Sequence, residues 1–342
     1  MQDKIGKYGG YLLSFTKSSN KLRLIKQLLK EIKLRGPVTG IQSLLHIKVY
    51  EKEVRDSKLE TDIEFTGTEH LSLQEYDQNS KISLPIVTAP RISIIISAGD
   101  NRSTDNCIRS ILTHATANDQ EIIIADSVAG MSSIKSRNKA AANARGELLV
   151  FLDGRIQVQQ EWLEELAFIF EHNKYAGLAG SKLLNADGRL TEAGCIVWRD
   201  TSITQYGNGD NPNLAEYNYV KEVDMVSGAS MMIRKRLWEE MGGYDEGYSE
   251  TGYEDADLCF RVRNKGYKVM YQPFSVVVRT ENAEEKWGEE ADNDPERFYE
   301  KWQHMLKAKA WPEEHLFYER DRTTGEKHIL LVAPYSPAID EF

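Results

Sequence analysis

The sequence predicts an α/β protein, a mixed and mostly parallel sheet flanked by helices, with a basic helical extension ahead of it. Three observations carry this. Between residues 92 and 152, short apolar runs alternate with helical patterns, the order that strand–helix–strand units impose on a chain. The runs are continuous rather than alternating, as strands of a sheet covered on both faces require. Finally, 342 residues with 41% apolar and 28% charged content suit one large domain with smaller appendages. No run approaches the roughly 18 apolar residues of a spanning helix, and nothing at Met1 resembles a signal peptide.

Taken in order, 21–35 is an amphipathic helix. Leu22, Ile25, Leu29 and Ile32 form its stripe, Arg23, Lys26, Lys30 and Lys33 another face, and Gly36-Pro37 ends it. Such a helix can lie peripherally on an anionic membrane surface. It can equally pack its stripe on the main body and leave its lysines in water. Residues 51–83 read as a polar, acidic linker. Then 92–96 is a buried strand, 97–101 its turn, 104–114 a helix, 121–125 a strand, 133–144 a helix and 147–152 a third strand. Ligands of such sheets bind beyond the carboxyl ends of the strands, which selects the loops at Ser97–Asn101, Asp126–Ser127 and Asp153–Arg155.

Further on, 162–170 is helical, 178–183 a strand, 185–188 a hairpin-like turn and 194–198 strand-like. Residues 206–219 form a long surface loop of the kind that is functional or disordered. Ser227-Gly228-Ala229 interrupts a strand-like run over 222–233, where a ligand or backbone approaches closely. A helix over 235–241 closes at Gly242-Gly243. Glu254, Asp255 and Asp257 open an amphipathic helix that Gly266 ends, and a strand over 267–271 is ended by Pro273. Those acids sit where a helix dipole favours negative charge, and N-capping alone accounts for such acids. Beyond Arg279, 282–294 is acidic and mobile, 295–309 helical, and 328–335 a buried-strand signature. The domain plan is an extension and linker over 1–85, a main domain over 86–285, a helical segment over 286–327 and an isolated strand over 328–342.

The net charge of −10 is unevenly spread: residues 1–50 carry a net of +8, so the remainder carries −18. An acidic body argues against a nucleic-acid ligand. Cys107, Cys195 and Cys259 are far apart and lack metal-site spacing, which fits buried thiols in a reducing cytoplasm.

Several ordered blocks resemble an inverting family 2 glycosyltransferase with the GT-A (Rossmann-like) fold, over 91–281. They are 92–96 with its turn, 121–126, 138–146 (NKAAANARG), 151–153, 177–188, 226–230, 242–245 (GGYD) and 253–259 (YEDADLC). The subgroup most resembled adds sugars to bacterial surface polysaccharides and often carries a second, C-terminal glycosyltransferase domain, whose first strand 329–334 resembles. The resemblance implies a nucleoside diphosphate sugar donor of UDP or dTDP type and a polysaccharide or lipid-linked glycan acceptor. It puts Asp126 on the nucleobase, Asp153 on the ribose, Ser97, Arg137 and Asn138 along the nucleotide, and Asp255 as general base. Glu254 and Asp257 tune that base, and with Gly228 and Ala229 they form the wall where sugar and acceptor meet.

The departures bear on the metal. The family's Asp-x-Asp element holds Mg²⁺ or Mn²⁺ against the diphosphate; here it reads Asp153-Gly154-Arg155, so Asp153 is the one acid left to a cation. Arg279 stands where the family has a metal-contacting histidine, Ser127 replaces an acid or turn residue, and Ser97 a proline. Either Arg155 and Arg279 meet the diphosphate charge in the cation's place, or the site is silent and the domain binds glycan or a partner glycosyltransferase. A third reading has Arg155 simply pairing with Asp153.

Overall fold

The computed structural model describes residues 87–114, 119–125, 132–249, 251–280, 293–312 and 316–322, with isolated positions before 87. All belong to the compact unit spanning 68–342. The helix expected over 21–35, most of the linker 51–83, Asp126 and Ser127, the acidic run 282–292 and the strand expected over 328–335 lie outside the described residues. Among the described residues no helix is long and apolar enough to cross a membrane.

The three apolar runs form β1 (Ile92–Ser97), β2 (Gln120–Ala125) and β3 (Leu148–Asp153), and β1 pairs in parallel with both. Between them lie α1 (Asn101–His114) and α2 (Ser133–Asn143). Helix α1 starts three residues earlier than its apolar pattern because Asp100 caps it, accepting the N–H groups of Arg102 (2.9 Å) and Ser103 (3.1 Å). The chain continues through β4 (Ile156–Val158), α3 (Trp162–His172), β5 (Ala176–Leu184) and β6 (Leu190–Glu192). A separate hairpin of β7 (Cys195–Val197) and β8 (Ile203–Gln205) precedes β9 (Lys221–Glu222), β10 (Ser230–Arg234) and α4 (Lys235–Met241). Then come α5 (Tyr253–Asn264), β11 (Lys268–Arg279), α6 (Asp294–Leu306) and α7 (Leu316–Glu319).

Nine strands among the described residues make one sheet in the order β2-β1-β3-β10-β5-β11-β4, with β6 beside β5 and β9 beside β11. Strands β1, β2, β3, β5 and β11 all run the same way, and β10 is reversed between β3 and β5. Because side chains alternate across a strand, Ile95, Leu149 and Phe151 bury into one layer with α2, α4, α5 and α6. Ile94, Ile96, Val150 and Leu152 bury into the other with α1 and α3. Full burial of each such side chain contributes about 1.5–3 kcal/mol. Aromatic packing of Phe298 on Tyr253 and Phe260, and of Trp302 on Phe260, seats α6 along α5.

One expectation is corrected and one is refined. Pro273 does not end its strand: β11 continues to Arg279, with a register shift between Gln272 and Val276, so the proline's missing N–H falls outside the ladder. The stretch 206–219 is a surface loop, exposed at 208, 209 and 213–215, whose other side chains anchor it to the body. Tyr206 and Tyr217 are buried, a 3-10 turn occupies Ala215–Tyr217, and Lys182 Nζ donates to Asn218 Oδ1 (2.5 Å) and Pro212 O (3.4 Å). Beneath it the ammonium of Lys221, a residue 1% exposed, makes no hydrogen bond among the described residues. That ammonium lies 4.4 Å from the ring centroid of Tyr206, 5.2 Å from Tyr271 and 5.5 Å from Tyr219. Arg320, Asp321 and Arg322 fasten the following segment over this layer through Glu216, Tyr219 and Asp224.

Candidate functional site

Helix α5 is entered through Gly252, whose φ of 89° turns the chain so that Glu254 and Asp255 fall in the first turn. Asp255 is 5% exposed, and both its oxygens are engaged. Oδ2 accepts the N–H of Gly228 at 2.7 Å, and Oδ1 accepts the hydroxyl of Tyr244 at 2.8 Å. Gly228 is a close approach that only glycine permits, since a Cβ there would lie 2.7 Å from Asp255 Oδ1. Glu254 accepts the N–H of Gly252 (2.8 Å) and Arg137 Nη2 (3.1 Å), so it caps the helix as well as lining the site. Burial first, then the charge of Asp255, raises the Glu254 carboxyl well above its ordinary range, against the pull of Arg137. Burial, again followed by Asp255, holds the Tyr244 phenol protonated far beyond neutrality.

Arg137 and Asn138 make their contacts within the chain at the carboxylate pair and at Tyr244. Arg137 is buried with its guanidinium 4.4 Å above the Tyr244 ring and Nη1 3.9 Å from Asp255 Oδ1. Asn138 clasps the backbone of Tyr244, donating to its carbonyl (3.0 Å) and accepting its N–H (2.9 Å). Helix α2 is thereby joined through Arg137 to the carboxylate pair on α5.

Asp257 is also corrected. Fully buried, it accepts from Arg261 Nε (2.7 Å), Trp302 Nε1 (2.8 Å) and Lys301 Nζ (2.8 Å), on the α6 side of the helix. It joins α5 to α6, with both oxygens engaged there and not at Asp255.

Ser97 and Asp153 are register partners at the carboxyl ends of β1 and β3, and the N–H of Gly154 donates to Ser97 O at 2.8 Å. Asp153 Oδ1 accepts Arg155 N (2.9 Å) and Nε (3.0 Å), and Oδ2 accepts Nη2 (2.5 Å). Burial by itself raises the Asp153 pKa. The hydrogen bonds and charge of Arg155, with Arg279 beyond, outweigh it and hold the carboxyl below its usual range. Arg279 ends β11 opposite Ile156 and is 1% exposed, whereas the Arg155 side chain is 35% exposed. The segment 227–229 joins the two acids: Ala229 O accepts the N–H of Asp153 (3.0 Å) while Gly228 N–H holds Asp255.

A divalent cation fits poorly here. Both oxygens of Asp153 are taken by a guanidinium, positions 155 and 279 are cationic, and no group of three His, Cys, Asp or Glu residues gathers among the described residues. Two residues of the site carried no sequence signal of their role. Tyr244 lies in the GGYD block but meets Asp255 only in the fold. Glu192, buried, accepts the N–H of Ser227 at 3.1 Å.

Residues 85–294 match the model of the glycosyltransferase-like family 2. The chain belongs to that family. Relatives of this family 2 chain include an uncharacterized protein of Sinorhizobium fredii, 25% identical over 43% of this chain and 16% of its own length. An O-antigen biosynthesis protein of Myxococcus xanthus is 27% identical over 51% of this chain and 14% of its own. Polypeptide N-acetylgalactosaminyltransferase 5 of Mus musculus is 26% identical over 52% of this chain and 22% of its own. The chain thus spans under a quarter of the length of each of these relatives. Its fold is similar to that of GalNAc-T7, solved with UDP, GalNAc and Mn²⁺, at a TM-score of 0.51 and 16% identity over 68% of this chain and 50% of that one. The family 2 chain is accordingly a GT-A glycosyltransferase fold, with Asp153 and Asp255 on facing sides of segment 227–229.

Proposed function

We propose that the chain transfers a sugar, with inversion, from a nucleoside diphosphate sugar of UDP or dTDP type to a hydroxyl of a polysaccharide or lipid-linked glycan. It does so in the cytoplasm. The observation that carries this reading is Asp255, fixed by the Tyr244 hydroxyl and by the N–H of Gly228, the residue before Ala229, whose carbonyl accepts the Asp153 N–H. The acceptor O–H gives its proton to the Asp255 carboxylate as its oxygen forms the new bond to the anomeric carbon. The bond from that carbon to the diphosphate oxygen breaks, and the electron pair leaves with the nucleoside diphosphate. Asp153 meets the ribose and Asp126 the base. Arg155, the more exposed guanidinium, meets the departing phosphate charge, and Arg279 adds its positive charge from beneath. No cation takes part.

A second reading is favoured by one observation, the Asp153–Arg155 pair, which occupies two groups the donor needs. In that reading the domain is silent and binds glycan or a partner glycosyltransferase. Donor turnover with and without EDTA, with Asp255→Asn as the blank, separates the two. Turnover that survives chelation is expected. Turnover abolished by EDTA and restored by Mn²⁺ or Mg²⁺ removes the arginine account, and no turnover with any nucleotide sugar, alongside binding to polysaccharide, selects the silent module.

A further inference from the structure

Resting on the reading of Asp255 as the base, we propose that Tyr244 is a positioning residue for it, with Arg137 as the guanidinium shared between the base and Glu254. The carboxylate of Asp255 has a rotational freedom that a base must lose before it can meet a hydroxyl in line with a leaving group. Here each oxygen has its own clamp: Gly228 N–H on Oδ2 and the Tyr244 hydroxyl on Oδ1. These come from opposite directions in the chain, one from the segment that also holds Asp153, the other from the turn after α4. Tyr244 is itself held at both ends. Asn138 grips its backbone, and its ring packs edge-on against Phe151 and Trp238 while Arg137 covers its face.

The charges around Asp255 make the hydroxyl matter. Facing it are Arg137 from α2, Tyr244 from the turn after α4, and Glu254 and Cys259 from α5. Glu254 and Asp255 share one guanidinium, so the ionised pair with Arg137 carries an excess negative charge in a buried site. A neutral O–H donor stabilises the ionised carboxylate without supplying a second cation that would quench its basicity. Losing that donor lets the carboxylate rotate and take up a proton more readily.

The test compares wild type, Tyr244→Phe and Asp255→Asn in pH profiles of kcat and of kcat/KM for the donor, with thermal melts alongside. Tyr244→Phe is expected to lower kcat about tenfold near neutrality with the donor KM within about threefold, and to move the acid limb of kcat upward by about one pH unit. A variant with the wild-type kcat and acid limb overturns the assignment, as does a loss of kcat with no movement of the limb. Should the phenylalanine variant fail to fold, 3-fluorotyrosine placed at 244 keeps the shape and donates more strongly. Its limb is then expected to move downward, and an unmoved limb overturns the proposal. The failures are distinguishable: wild-type turnover in Asp255→Asn removes the base reading itself, while an inactive Asp255→Asn beside an unaltered Tyr244→Phe removes only the role of Tyr244.

Discussion

Replacing Gly228 by alanine should separate chemistry from binding more cleanly than any loss of charge. The added Cβ would lie 2.7 Å from Asp255 Oδ1, 3.0 Å from Oδ2 and 3.1 Å from the Tyr244 hydroxyl, whereas ordinary contact begins at 3.4 Å. The base must therefore withdraw by about 0.7 Å, or the 227–229 segment must yield by as much. Misplacement of about 1 Å costs on the order of a hundredfold in rate. A shift of this size thus predicts a kcat lower by about 10- to 100-fold, about 1.4–2.7 kcal/mol of barrier. Gly228 does not need a left-handed backbone, so the strain is confined to the contact, and stability falls by about 1–3 kcal/mol. The assay is turnover at saturating donor and acceptor, with the Kd of the nucleoside diphosphate from calorimetry as the control. That Kd should stay within about threefold, since the methyl points at the base. A kcat within about threefold of wild type in a folded variant would refute the claim that Asp255 is held at Gly228 for the chemistry.

Two other outcomes follow from groups away from the cleft. Asp257→Asn breaks a buried junction with Arg261, Trp302 and Lys301, so unfolding free energy in urea should fall by about 3 kcal/mol while kcat of the folded protein changes little; a collapse of kcat at unchanged stability would return Asp257 to the site. Lys221→Met should flatten the dependence of stability on pH between about 7 and about 10. Burial pulls the folded Lys221 amine down to about 7, below its unfolded value, so in that window the unfolded chain binds more protons and stability rises with pH. Lys182, drawn down to about 8 by burial, adds a smaller slope of the same sign that the variant keeps. Identical melts for wild type and variant across that range would contradict the burial argument.

What the sequence displays follows the range of the forces involved. Strands β1 to β3 were legible because burial on both faces leaves unbroken apolar runs, and α5 because its polar face, carboxylates and closing glycine are all local. The role of Asp257 was legible in principle: two residues on from Asp255 is roughly 200° round a helix, which puts the two carboxylates on opposite sides. The partners of Arg137 were not, because a long side chain that crosses from α2 to α5 leaves no periodic trace, and its nearness in sequence to the loop at Asp126 pointed the other way. Tyr206 and Tyr217 sit among glycines, asparagines and aspartates that read as solvent-exposed, yet their rings bury against one another at 5.3 Å. Pro273 read as a stop because local rules count a missing donor and cannot see a place in the ladder where no donor is wanted.

That interruption of β11 also serves as an expansion joint. Residues 273–275 have no counterparts on β5: Gln272 stands opposite Ser181 and Val276 opposite Lys182. The two halves of the strand are thereby out of mechanical lockstep, the first phased by β9 and the second by β4. Phe274 projects outward from the excursion, so a residue gained or lost there alters its depth and leaves Arg279 in place beneath Asp153. The same change three residues later, between Val277 and Arg279, would swing the guanidinium to the opposite side of the sheet, and the donor end of the molecule would lose its underlying positive charge through a fault in length alone.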